Sequence, residues 1–143
     1  MEIESIMFVI AANQAFHKNS THRPSGEILG SVADLSTQLG LTKLSVYHEV
    51  LPPGHRSSPG HKHSEKEEFV FVIHGTAKVW TEQGVSEIKV GDVAGFALGM
   101  AHMVYNNSDE DVHLLVVSTA QQIGDKITFV PDDSISAILR TNS

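Results

Sequence analysis

From residue 41 onward, short apolar runs are separated by Gly, Pro, Asn and Asp at the spacing of strands in a sandwich or barrel. Leu44, Val46, His48 and Val50 alternate with Ser45, Tyr47 and Glu49, the two-residue period of a half-buried strand, and Pro52-Pro53-Gly54 stops it. Residues 69–73 are aromatic and β-branched and close on a turn at Gly75. Further strands are predicted over 77–82, 85–90, 93–96, 102–105, 112–119 and 127–130, with turns at 83–84, 91–92, 98–101 and 106–111. Ahead of them lie a short strand candidate at 6–10 and a polar stretch, 13–26, that reads as loop. Helix is predicted over 31–38 and, near the far end, over 135–140. The pattern implies an all-β domain over 41–131, an N-terminal extension over 1–40 packing on it, and a tail over 132–143.

Composition narrows the function. The 143 residues suit one domain, and 41% hydrophobic with 19% charged residues is the balance of a folded chain, not a disordered one. Ten basic against 17 acidic residues give a net charge of −7, and Arg23, Arg56 and Arg140 stand far apart. Phosphate contacts need clustered Lys and Arg, so nucleic acid and anionic membrane are excluded as partners. The apolar run at 6–12 follows Glu2 and Glu4 and is too short to span a bilayer, which predicts a cytoplasmic protein. With no cysteine, any metal must be held by nitrogen and oxygen. Nine histidines make that worth pursuing.

His61 and His63 stand at i and i+2, which on a strand points both imidazoles to one face. A carboxylate follows at Glu67 or Glu68, and a third imidazole, His102, opens a later strand after a glycine-containing turn. Histidines with a carboxylate form the donor set of first-row divalent metals. Gly54, six residues, His61-Lys62-His63, four residues, Glu68, six residues and Gly75 make one motif; Gly91, five residues, Ala97-Leu98-Gly99, two residues, His102, three residues and Asn106 make a second. In order and spacing the two resemble the paired motifs of the cupin superfamily. They depart from them by one extra residue after Gly54 and by Ala97 where proline is usual, both in turns. The flanks are similar to small single-domain bacterial cupins, some of them described as sugar-phosphate isomerases.

The resemblance implies a double-stranded β-helix, or jelly-roll barrel, holding one divalent transition metal (zinc, iron, manganese or nickel) on His61, His63, Glu68 and His102. It selects Glu68 over Glu67 by its distance from Gly75. Strand alternation agrees, since Glu68, Val70 and Val72 share a face. Such a centre leaves coordination positions open, which suits polarising a carbonyl or activating water. Small cupins commonly pair, so a homodimer is expected.

Other candidates are thinner. His48 and Tyr47 are the acid/base candidates, although His48 reads more readily as a hydrogen-bonded core or interface histidine. Arg56, with Lys62, is the local cation an anionic substrate would use; Met100, Met103, Tyr105 and Phe96 are candidate pocket residues, mainly suited to packing. His17, His22, His74 and His113 are expected to be exposed, and Asn106 to fix a turn. No nucleophile elbow and no phosphate-binding glycine loop occurs. These features point to a metal-dependent enzyme acting on a small polar metabolite, of isomerase, dioxygenase, lyase or hydrolase type. The competing expectation is a non-catalytic barrel that binds metal or a small ligand.

Overall fold

A computed structural model describes residues 9–135. Eleven strands run in the order β1 Lys18–His22, β2 Glu27–Asp34, β3 Leu44–Leu51, β4 His61–His63, β5 Glu68–His74, β6 Thr76–Thr81, β7 Gly84–Lys89, β8 Val93–Phe96, β9 His102–Tyr105, β10 Val112–Thr119 and β11 Ile127–Phe129. They form two antiparallel sheets, ordered β1-β2-β3-β10-β5-β8 and β11-β4-β9-β6-β7. The non-sequential neighbours are those of a double-stranded β-helix, as the motifs imply.

Alternation along each strand builds the core between the sheets. Leu51, Val70, Val72, Ala77, Val79, Ile88, Phe96, Val104, Val112, Leu114 and Val116 point inward and are buried together. β10 runs along the middle of the larger sheet, paired with β3 on one side and β5 on the other. Its inward residues Val112, Leu114, Val116 and Ser118 lie in register with Leu51, Glu49, Tyr47 and Ser45. A second buried cluster of Trp80, Ala101, Met103, Tyr105 and Ile135 covers the outside of the smaller sheet.

Turn chemistry holds the ends. Gly75 adopts φ +82° and lies so close to the chain that an added Cβ would stand 2.6 Å from the Asp111 carbonyl. Asn106 fixes its turn as expected: its Nδ2 donates to the carbonyls of Leu51 and Glu110, while its Oδ1 accepts from Ser108.

The N-terminal third departs from the sequence reading. Residues 18–22, expected as loop, are β1, and 31–34, expected as helix, complete β2; pairing with β3 in the register Val32 to Glu49 overrides local preference. Among the described residues the α-helix is α1, Leu35–Leu39, capped by Asp34 at its start and by Gly40 at its end, with short 3-10 turns over Ala12–Gln14 and Asp132–Ser134. The strand expected over 6–10 and the helix over 135–140 lie mostly outside the described residues. No helix of the described residues is long and apolar enough to cross a membrane.

Candidate metal centre

β4 is three residues long, and its alternation buries His61 and His63 on the inner side while Lys62 faces solvent. Its position is fixed from both sides: His61 pairs with His102 of β9, and Phe129 and Ile127 of β11 pair with His61 and His63. The ring centroids of His61 lie 5.0 Å from those of His63 and 4.7 Å from those of His102. Glu68 arrives from the other sheet as the first residue of β5, with Oε1 3.3 Å from His102 Nε2. Glu67, one residue earlier, is exposed.

Each of the three rings is anchored through Nδ1. That of His61 bonds the Pro59 carbonyl at 2.9 Å with the Ser58 hydroxyl at 3.0 Å, that of His63 the Asp125 carboxylate at 2.8 Å, and that of His102 the Met100 carbonyl at 3.0 Å. Carbonyls and carboxylates only accept, so each Nδ1 carries a proton; in His61 this leaves the Nε2 lone pair free, while His102 Nε2 is hydrogen-bonded to Glu68 Oε1. The Nε2 atoms of His61 and His63 have no hydrogen-bond partner among the described residues. Phe96 stacks on His102 at a centroid distance of 3.8 Å and an interplanar angle of 4°, fixing the plane of that ring.

Electrostatics reinforce this. Burial and the neighbouring His102 push His61 below the ordinary imidazole range, keeping it neutral. Burial alone would raise Glu68, but its hydrogen bond with His102 and the charge of the nearby rings hold it below the usual carboxylate range. Three imidazoles and one carboxylate fit a divalent transition ion. With Glu68 drawn to His102, the residues are neighbours and not a closed cage. Among the described residues no group of three or more His, Asp or Glu side chains is closed up enough, as it stands, to hold an ion.

The cupin domain family matches residues 47–118, from β3 through β10 and over half of the chain. The chain belongs to the cupin family. The sugar phosphate isomerase from a cupin superfamily of Silicibacter pomeroyi shares its architecture at a TM-score of 0.75 and 26% identity, over 85% of this cupin and 81% of that chain. A predicted oxalate decarboxylase from Thermotoga maritima superposes at 0.68 with 20% identity, over 80% and 100%. The polyketide cyclase RemF from Streptomyces resistomycificus does so at 0.71 with 15% identity, over 96% and 98%. The last two likenesses speak for the fold alone. No curated protein matches the sequence.

Several residues expected at this cupin's pocket lie elsewhere. Arg56 is buried on the outer side, where it donates to both carboxylate oxygens of Glu27 (2.9 and 2.7 Å) and of Asp132 (3.0 and 3.2 Å). Two carboxylates neutralise it, and with Tyr105 it lines a cleft of about 250 Å3. Met103, 0% exposed, and Tyr105 point away from the lumen into the outer cluster, because alternation along β9 turns His102 and Val104 inward instead. Phe96 reaches the lumen but spends its face on His102. Met100 stays at the rim, where with Thr81, Gln83 and Leu98 it lines a cleft of about 290 Å3 beside His102. A second cleft of about 420 Å3 reaches Glu68 and Phe96.

Tyr47 does point inward, half-buried against the main core. His48 does not: its neighbours are His17 and His113, on the outer face of the larger sheet. The inward residue beside it is Glu49, which the sequence reading passed over. Glu49 is 5% exposed. Its Oε2 accepts from the Ser57 hydroxyl at 3.0 Å, whereas its Oε1 is buried without a partner. Burial pushes Glu49 up to about 7; the Ser57 hydrogen bond opposes the rise and the charge of Glu68 adds to it. The signal for it was the face shared by Tyr47, Glu49 and Leu51.

Proposed function

We propose that this cupin is a metal-dependent enzyme that transfers a proton on a small polar metabolite, of isomerase or lyase type. The observation that carries the reading is the set of three Nδ1-anchored imidazoles with Glu68 beside them. His61, His63, His102 and Glu68 would hold the ion. Bound there, the ion would polarise a substrate carbonyl or hydroxyl oxygen. Asp125, Pro59 and Met100 keep the ligand nitrogens oriented, and Phe96 keeps water from one face of His102.

Glu49 supplies the proton carrier. A carboxyl balanced near neutrality gives and takes a proton with comparable ease, the condition for general acid–base work. In this reading its carboxylate removes a proton from the hydroxyl-bearing carbon beside the polarised carbonyl and returns it to the former carbonyl carbon, while the hydroxyl proton passes to the former carbonyl oxygen. No charge is left over. The Silicibacter pomeroyi relative supports isomerase chemistry, but the neutralised Arg56 and outward Lys62 offer no cradle for a phosphate. An unphosphorylated hydroxy-aldehyde or hydroxy-ketone suits this lumen better. Exposed Phe69, Ile73 and Val93, on the outside near the β8 edge, support pairing of two copies.

The test is elemental analysis of protein purified without added metal, alongside His102→Ala. Near-stoichiometric iron, manganese, zinc or nickel that is lost in the variant supports the centre. Less than about a tenth of an equivalent, with no uptake on reconstitution, overturns it. Deuterium from D2O should then appear in turned-over hydroxy-ketones, and Glu49→Gln should abolish it while keeping the metal.

A further inference from the structure

Outside the barrel, four more histidines meet on the outer face of the larger sheet. His48 comes from β3, His113 from β10, His74 from the end of β5, and His17 from the segment leading into β1. Strand pairing sets His113 directly opposite His74 on one side and Val50 on the other, so His48 lies diagonally one step along the same face. Their ring centroids are 5.0 Å apart for His17 and His48, 5.3 Å for His48 and His113, and 5.4 Å for His74 and His113. None belongs to the motifs that mark the barrel centre.

Those separations have a chemical meaning. With Zn–N bonds of about 2.0–2.1 Å, two imidazoles on one tetrahedral ion have centroids roughly 5 Å apart. The barrel histidines show nearly the same spacing, 4.7 and 5.0 Å. The protonation pattern fits as well. His17 Nδ1 donates to the Ala15 carbonyl at 2.7 Å, so its Nε2 lone pair accepts from His48 Nδ1 at 2.7 Å, which leaves His48 its own lone pair on Nε2. His48, His74 and His113 line a cleft of about 540 Å3 together with Ala12, Asn13 and Ile73. One histidine pair is ordinary packing, but three rings from three strands around one cleft, the first of them held by a fourth, are more than packing needs.

Two further facts favour a cation over an anion as the occupant. Burial, then His17 and His113, push His48 down to about 4; burial and His74 lower His113 despite Asp111 nearby. His48 and His113 are thereby held in the neutral form, which ligates metals and gives an anion little attraction. As at the barrel centre, the rings are neighbours and not yet a closed cage.

We propose that His48, His74 and His113, with His17 orienting the His48 ring, form a second site for a borderline divalent ion. All-imidazole donors select zinc, copper or nickel over magnesium or calcium. Bound there, the ion fastens the segment before β1 across β3, β10 and β5. The proposal is independent of the barrel centre, since the two sites share no residue.

Equilibrium dialysis of chelator-stripped protein against micromolar zinc tests it. Wild type should take up one equivalent more than His74→Gln/His113→Gln, whether or not the barrel centre loads. Both replaced residues lie toward the surface, and the metal-free variant should match wild type in circular dichroism. Equal uptake in the two proteins overturns the site. If the double variant does not fold, His74→Gln replaces it under the same criterion. A copper-loaded His61→Ala/His102→Ala protein should show hyperfine splitting from several imidazole nitrogens, and a spectrum of aqueous copper alone overturns the site. Zinc should also slow amide exchange in residues 12–17 of wild type; unchanged exchange refutes the fastening role.

Discussion

Replacing Glu49 by Gln keeps the shape of a buried side chain and removes its titration. The carboxyl is held up to about 7 in the fold against 4.5 in an unfolded chain. Each unit is worth about 1.4 kcal/mol, so the difference amounts to roughly 3 kcal/mol. The direction follows from which state holds the proton. Below pH 4.5 both states are protonated and the stability of this region is fully present. As pH rises toward 7 the unfolded chain ionises while the folded protein does not, so the wild type loses stability across that window and levels off above it. Glu49→Gln has no such loss. Its amide does place an unpartnered donor where Oε1 was unpartnered, an offset of about 1–3 kcal/mol that is the same at every pH. The readout is therefore the difference between two curves. Urea melts of metal-free wild type and variant, taken from pH 4.5 to 8, should converge or cross by roughly 3 kcal/mol in favour of the variant. Curves that stay parallel would show that Glu49 ionises normally, and the proton-carrier role would fall with its raised pKa.

Three further outcomes follow from named contacts. Asp125→Asn should weaken metal binding by about 10- to 100-fold in chelator competition, because the His63 ring loses its charged anchor; unchanged affinity would mean that Asp125 does not orient His63. Gly75→Ala should cost at least ~2 kcal/mol in thermal melts, since its Cβ meets the Asp111 carbonyl, whereas Gly124→Ala, with a similar φ of +85° and open space, should cost about 1 kcal/mol. Equal costs would refute the steric argument. Arg56→Met should destabilise by about 2 kcal/mol in urea, less than the 3–5 typical of a broken buried pair, because Glu27 and Asp132 side chains are 33% and 59% exposed and can rehydrate.

The part of the fold legible in the sequence is the part where one face of a strand is apolar and the other is not. From β3 to β11 the turns and runs predict every strand but the three-residue β4 to within a residue or two. β1 escapes because Lys18, Asn19, Ser20, Thr21 and His22 carry no apolar stripe; an edge strand exposed on both sides has nothing to alternate. β2 escapes for another reason. Its last residues run into a true helix start at Asp34, whose side chain accepts from Thr37 N, and the helical signal was extended backward across the junction.

The site was legible only as far as spacing reaches. His61, His63 and His102 are marked by their intervals, and Glu68 by its distance from Gly75. Glu49 and His48 were exchanged because β3 is covered on both faces. On β10 the outward Leu115 and Val117 are as apolar as the inward Leu114 and Val116, so alternation names two faces without saying which is the lumen. One residue does break the tie. Gly30 sits inside β2 with no positive φ to explain it, and a Cβ there would stand 2.7 Å from Glu49 Oε1 and 2.8 Å from Leu51 Cδ2. A glycine in mid-strand marks a close approach on its own face. That face carries Glu49 and Leu51, leaving His48 on the other side with His17 and His113. The same inversion that hid the acid–base candidate inside the barrel also hid the histidine cluster outside it.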